Sequence, residues 1–117
     1  MSQQAIPVLH VTDAEAALRW YARLGFEREF YHRFKPGLPL YVGIRRGDAR
    51  MHLSEHTGDA RPGTLVYVWV DDTDAIAVAF DRTVENQAWA REIELTDPYG
   101  NRLRIGQAPI SEDQTSN

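Results

Sequence analysis

Val11–Tyr21 reads VTDAEAALRWY, and Val70–Phe80 reads VDDTDAIAVAF. Val11, Asp13, Glu15, Ala16 and Tyr21 answer to Val70, Asp72, Asp74, Ala75 and Phe80 at a constant offset of 59. Each stretch follows an apolar run ending in valine, IPVLHV and TLVYVWV, so each reads as a strand leading into a helix. Further on, GDARMHL (47–53) is echoed by GNRLRI (100–105), at an offset of 52 from Arg50 onward. Two copies of one small unit organise the chain, and equivalent positions can be compared within it.

The first copy begins with a strand over Ala5–Val11. Thr12 with Glu15 suggests a capping box, and Ala14, Ala17, Leu18 and Tyr21 follow at helical spacing until Gly25 ends the helix. Phe26–His32, Leu40–Ile44 and Arg50–Ser54 read as strands, separated by Lys35-Pro36-Gly37 and Arg46-Gly47-Asp48. His56–Gly63 is the expected linker. The second copy repeats the order: strand Thr64–Val70, a helix over about residues 72–80, and strands near Thr83, at Arg91–Thr96 and at Asn101–Ile105. Asp97-Pro98-Tyr99-Gly100 is the turn between the last two. The expected fold class is α+β: two tandem βαβββ units, about residues 5–56 and 63–106, forming one curved, half-barrel-like mixed sheet with the helices outside. A single domain over 1–110 would then precede a polar, disordered tail at 111–117.

Composition narrows the function. At 117 residues the chain suits one compact domain, and either half alone would bury little apolar surface. A net charge of −4 with interspersed signs provides no basic stripe, which argues against nucleic acid and mildly favours cationic ligands. No cysteine is present, so disulfides, thiolate metal sites and a cysteine nucleophile are excluded. No segment reaches the roughly 20 apolar residues of a membrane span, and MSQQAIP lacks a signal sequence, so no membrane partner and a cytoplasmic location are expected.

Strand alternation sorts the side chains by face. Val66, Val68 and Val70 suit packing under a helix, which turns Leu65, Tyr67 and Trp69 the other way. Met51 and Leu53 face the helix, so His52 does not; Leu103 and Ile105 do, so Arg102 and Arg104 do not. The face away from the helices therefore carries Ile6, Val8, Leu65, Tyr67 and Trp69 with His52, Glu94 and Arg104. Mixed aromatic and polar lining suits a ligand site.

These residues resemble the vicinal oxygen chelate superfamily, which includes glyoxalase I, extradiol dioxygenases, fosfomycin-resistance enzymes and bleomycin-resistance proteins. VTDAEAALRWYARLGF is similar to that superfamily's strand–helix–Leu-Gly-Phe signature. PGTLVYVWVDD followed by QAWAREIELTDPYGNRLRIG resembles the bleomycin-resistance branch in order and spacing. The resemblance covers about residues 5–106. Metal-dependent members place a His or Gln on the first strand of each unit and a Glu or His on the last. Those positions here are Ile6 and Leu65, then His52 and Arg104. Two aliphatic residues and an arginine do not ligate a divalent cation, so no metal and no cofactor are expected. His10, His32 and His56 show no ligand spacing.

Other catalytic patterns are missing. Ser54 and His52 alternate to opposite faces and cannot pair as nucleophile and base. GxxxxGK[ST] and GxGxxG phosphate loops are absent. Glu92 and Glu94 share a face and read as solvated or salt-bridged carboxylates, with Arg102 or Arg104 opposite. The resemblance implies a homodimer that sequesters a small aromatic or cationic, glycopeptide-antibiotic type of ligand, such as a bleomycin-type antibiotic, without chemistry. It implies ligand contacts from Tyr41, Pro62, Trp69, Trp89 and His52, with Tyr67 and Arg104 deeper in the cleft, and no catalytic residues. Trp69 and Tyr67 have a competing reading as filler inside the sheet, and Trp20 reads as a packing or dimer-contact residue. The competing function is a glyoxalase-like lyase or isomerase acting without metal at the usual site, with His52 and Glu94 as acid–base groups. A chain acting only through protein contacts is the third alternative.

Overall fold

The computed structural model describes residues 3–33 and 35–109; the expected polar tail at 111–117 lies outside them. The elements are β1 (Val8–His10), α1 (Ala14–Arg23), β2 (Glu27–His32), β3 (Tyr41–Arg46), β4 (Ala49–Ser54), β5 (Leu65–Trp69), α2 (Thr73–Phe80), β6 (Glu85–Asn86), β7 (Arg91–Thr96) and β8 (Arg102–Gln107). The strand–helix–three-strand order thus occurs twice. The strands form two four-stranded sheets, β1-β4-β3-β2 and β5-β8-β7-β6. The second strand of the second copy, expected near Thr83, is the two-residue β6 beginning at Glu85.

Packing divides the chain into two compact units. Among the described residues the first takes in those up to Val66 together with Thr96–Arg102; the second holds Tyr67–Leu95 and residues 103–109. In the first, β1 runs parallel to β4 while β3 pairs antiparallel with both β4 and β2. Helix α1 packs on this sheet; its Ala14, Ala17 and Tyr21 are buried, as are Leu9, Val11, Val42, Met51 and Leu53. In the second unit Val68, Val70, Ile76, Ala77, Ile93, Leu95, Leu103 and Ile105 are buried. These are the parities expected from alternation.

The internal repeat extends to individual hydrogen bonds. Val11 N–H donates to the Ser54 carbonyl, and Val70 N–H donates to the Gly106 carbonyl, the same bond displaced by the two offsets. Asp13 accepts from Ala16 N–H at the start of α1, and Asp72 accepts from Ala75 N–H at the start of α2. This corrects the expected capping box. Asp13 is the N-cap, Thr12 precedes the cap, and Glu15 falls one residue short of the reciprocal position. The short carboxylate of Asp13 also places negative charge at the positive end of the helix. A second cap arrives from afar. Glu55 Oε2 accepts from Ala14 N–H at 2.8 Å, and Gln107 Oε1 accepts from Thr73 N–H at 2.9 Å. In both units the residue that closes or follows the last strand thereby ties down the first turn of the helix. At the far end of α1, Gly25 adopts φ 91°, a left-handed conformation that suits glycine.

Candidate functional site

The second unit builds a cleft of about 570 Å³ lined by Arg82, Thr83, Glu85, Gln87, Trp89, Glu92, Ile93, Glu94 and Arg104. Alternation along β7 buries Ile93 and Leu95 and turns Glu92 and Glu94 outward. Along β8 it buries Leu103 and Ile105 and turns Arg104 outward. Along β5 it exposes Tyr67 and Trp69, whose rings lie 5.0 Å apart at 54°. Trp89 sits in a bend just ahead of β7.

Glu92 ties the aromatic groups together. Its Oε2 accepts from the Tyr67 hydroxyl at 2.6 Å and from Trp89 Nε1 at 2.7 Å. These two donors stabilise the carboxylate and hold its pKa below the usual glutamate value, against a smaller opposing effect of desolvation. The Tyr67 phenol moves the other way, pushed up to about 12 by desolvation and then by the hydrogen bond and charge of Glu92. Its hydroxyl lies over Gly106, at a place a β-carbon on that residue would occupy. Arg104 Nε donates to Glu94 Oε1 at 3.0 Å, an ion pair with both partners substantially exposed.

Of the residues expected to contact a ligand, the structure brings Tyr67, Trp69, Trp89 and Arg104 together in the second unit. Trp69 is 58% exposed, Trp89 59% and Tyr67 38%. Trp69 therefore does not fill a core in this chain. Tyr41 and His52 occur together in the first unit, where the Tyr41 hydroxyl lies 2.7 Å from His52 Nδ1. Phe30 completes that group, with its ring 5.2 Å from His52 and 6.4 Å from Tyr41, seated over Gly43 where a side chain would collide with it. Burial lowers the His52 pKa, with Glu29 acting in the opposite direction. Pro62 lies exposed in a turn.

Sequence reasoning missed Phe30, Gly43 and Gly106 and understated Glu92. The glycines were the available signal, since each stands inside a strand where a side chain would normally pack. The chemistry at Ile6, Leu65 and Arg104 does not fit a divalent metal: two of them lack a donor atom, and the third is paired with Glu94. Among the described residues no group of three or more His, Asp or Glu could hold a metal ion. His52 is engaged with Tyr41 and Glu94 with Arg104. No helix among the described residues is long and apolar enough to cross a membrane.

Tandem βαβββ units with outward-facing aromatic side chains define a class, and the comparisons agree with it. The family model for glyoxalase superfamily proteins matches residues 1–111, and the chain belongs to that superfamily. No curated protein matches it in sequence. Among solved structures, a bleomycin-binding protein from bleomycin-producing Streptomyces verticillus, complexed with copper(II)-bleomycin, is 28% identical. It gives a TM-score of 0.68 over 93% of this chain and 98% of that one. A bleomycin resistance determinant encoded on the transposon Tn5 is 23% identical, with a TM-score of 0.73 over 93% and 100% of the two chains. An antibiotic binding protein from Streptomyces sp. CB03234 is 20% identical, with a TM-score of 0.71 over 93% and 99%. Likeness at the two lower identities speaks to fold.

Proposed function

We propose that this protein is a bleomycin-resistance-like binding protein that sequesters a small aromatic or cationic ligand of the glycopeptide-antibiotic type and leaves it unaltered. The observation that carries the reading is the group of exposed Tyr67, Trp69 and Trp89 gathered around Glu92 beside a cleft of about 570 Å³. Large apolar rings held at a polar surface lose nothing by remaining there if a flat ligand covers them, and each good stacking contact adds about 0.5–1.5 kcal/mol beyond area burial. Two of the similar structures are described as bleomycin-binding or bleomycin-resistance proteins, which supports the same ligand class. Tyr41, His52 and Pro62 belong to the proposed contact set as well.

The active form in this reading is a cytoplasmic homodimer. Strand β2 is exposed along its whole length and offers an edge for a partner. Tryptophan-fluorescence titration with bleomycin tests the binding, and product analysis after prolonged incubation tests the absence of chemistry. Saturable quenching with recovery of intact drug is expected. No response to bleomycin or to a panel of flat aromatic and cationic compounds would remove the reading. Sedimentation should give about twice the 13.4 kDa chain mass; a strictly monomeric protein would remove the homodimer.

A further inference from the structure

We infer that Glu92 selects the ligand and that the class it selects is flat organic cations, an assignment that rests on the binding reading above. Five charged side chains line the cleft: Arg82, Glu85, Glu92, Glu94 and Arg104. Glu94 and Arg104 are paired, and Arg82 offsets Glu85 in sign, so the charge left over is that of Glu92. Only one of its oxygens is used. Oε2 receives both Tyr67 and Trp89, while Oε1 accepts no hydrogen bond among the described residues. A carboxylate held by two donors is already oriented, so a ligand cation meets it without a further ordering cost.

The aromatic rings act in the same direction. The faces of Tyr67, Trp69 and Trp89 carry negative quadrupole density, which attracts a cation. Carboxylate and ring faces together therefore favour a delocalised positive charge spread over a flat system more than they favour a neutral ring of equal size. A neutral ring gains only the stacking. An anionic ring meets repulsion from Glu92.

N-methylacridinium and acridine, at mildly alkaline pH where acridine is uncharged, are probes of nearly equal size that differ in charge. Wild-type protein should bind N-methylacridinium about tenfold or more tightly than acridine, the order of one charge-assisted contact. Glu92→Gln should bring N-methylacridinium down to the level of acridine. Rising salt should narrow the gap in wild type, a reading that needs no variant. Equal affinities in wild type, a preference that survives in Glu92→Gln, or a gap insensitive to salt overturns the role of Glu92 and leaves aromatic binding standing. Binding of bleomycin without N-methylacridinium overturns the ligand class. If bleomycin and both probes fail to bind, the binding reading falls together with this one.

Discussion

The Tyr21 hydroxyl donates a 2.8 Å hydrogen bond to Asp97 Oδ2 in the interior of the first unit, joining residues 76 apart in sequence. Asp97 is otherwise satisfied by the turn it opens. Its Oδ1 accepts from the N–H groups of Tyr99 and Asn101, and its Oδ2 also accepts from Asn101 Nδ2. Asn101 continues outward, with Nδ2 donating to the His10 carbonyl and Oδ1 accepting from Thr64 N–H. The Asp97-Pro98-Tyr99-Gly100-Asn101 motif is thus a clasp of the fold. Its chemistry is spent on buried hydrogen bonds.

Tyr21→Phe removes one donor from a buried carboxylate and should cost about 1–3 kcal/mol of stability. Denaturant unfolding should register the loss, while ligand affinity in the folded protein stays unchanged. Burial and the neighbouring Asp97 raise the Tyr21 pKa, so its phenol should not ionise while the protein is folded.

Trp89→Ala and Trp69→Ala should each weaken binding of bleomycin by about 5- to 150-fold, the range for truncating a stacked aromatic worth 1–3 kcal/mol. Neither should shift the thermal midpoint much, because both side chains are more than half exposed. Calorimetric titration beside a melting curve separates the two effects. Unfolding of either variant would make that tryptophan a structural residue.

The fold was legible because its unit is written twice. The 59-residue offset found both helices, and strand parity found Met51, Leu53, Leu103 and Ile105 as core and Tyr67, Trp69 and Arg104 as outward residues. Long-range partners were not legible. Nothing local in the sequence announces that Glu55 and Gln107 cap helices 41 and 34 residues away, because such bonds depend on where the chain returns. Strand partners were not legible for the same reason: alternation assigns faces but does not fix which strands pair. The sequence reads Glu92 as one of two solvated or salt-bridged carboxylates, since its partners Tyr67 and Trp89 come from a different strand and a bend.

Gly106→Ala tests the support beneath the site. A β-carbon there would collide with the end of the Tyr67 ring, and the ring can rotate away, so the fold should survive. The Tyr67–Glu92 hydrogen bond should not. Bleomycin affinity should fall by about tenfold, a loss near 1.4 kcal/mol, with the far-ultraviolet spectrum unchanged. Tyr67→Phe should reproduce the loss without crowding the strand, and an unchanged affinity in both variants would exclude Tyr67 from the positioning of Glu92.

Acid and alkali should act on the site through the same pair. The Glu92 pKa is lowered by its hydrogen bonds to Tyr67 and Trp89, so its contribution to stability and to cation binding is present above the ordinary glutamate range. It is lost only as pH falls through the lowered value. Affinity for N-methylacridinium should therefore drop only at a pH below that at which free glutamate protonates. Tyr67→Phe removes the first of the two stabilising donors and should move that drop to higher pH. At the other end, the Tyr67 phenol has its pKa raised from 10.0 to about 12. Its contribution is full below the ordinary tyrosine value and disappears as pH rises through about 12, where a phenolate would face Glu92. Ultraviolet difference titration should find a late-ionising tyrosine that moves to lower pH in Glu92→Gln. An unmoved late tyrosine in that variant would mean that burial alone sets its pKa and that Glu92 exerts no hold on Tyr67.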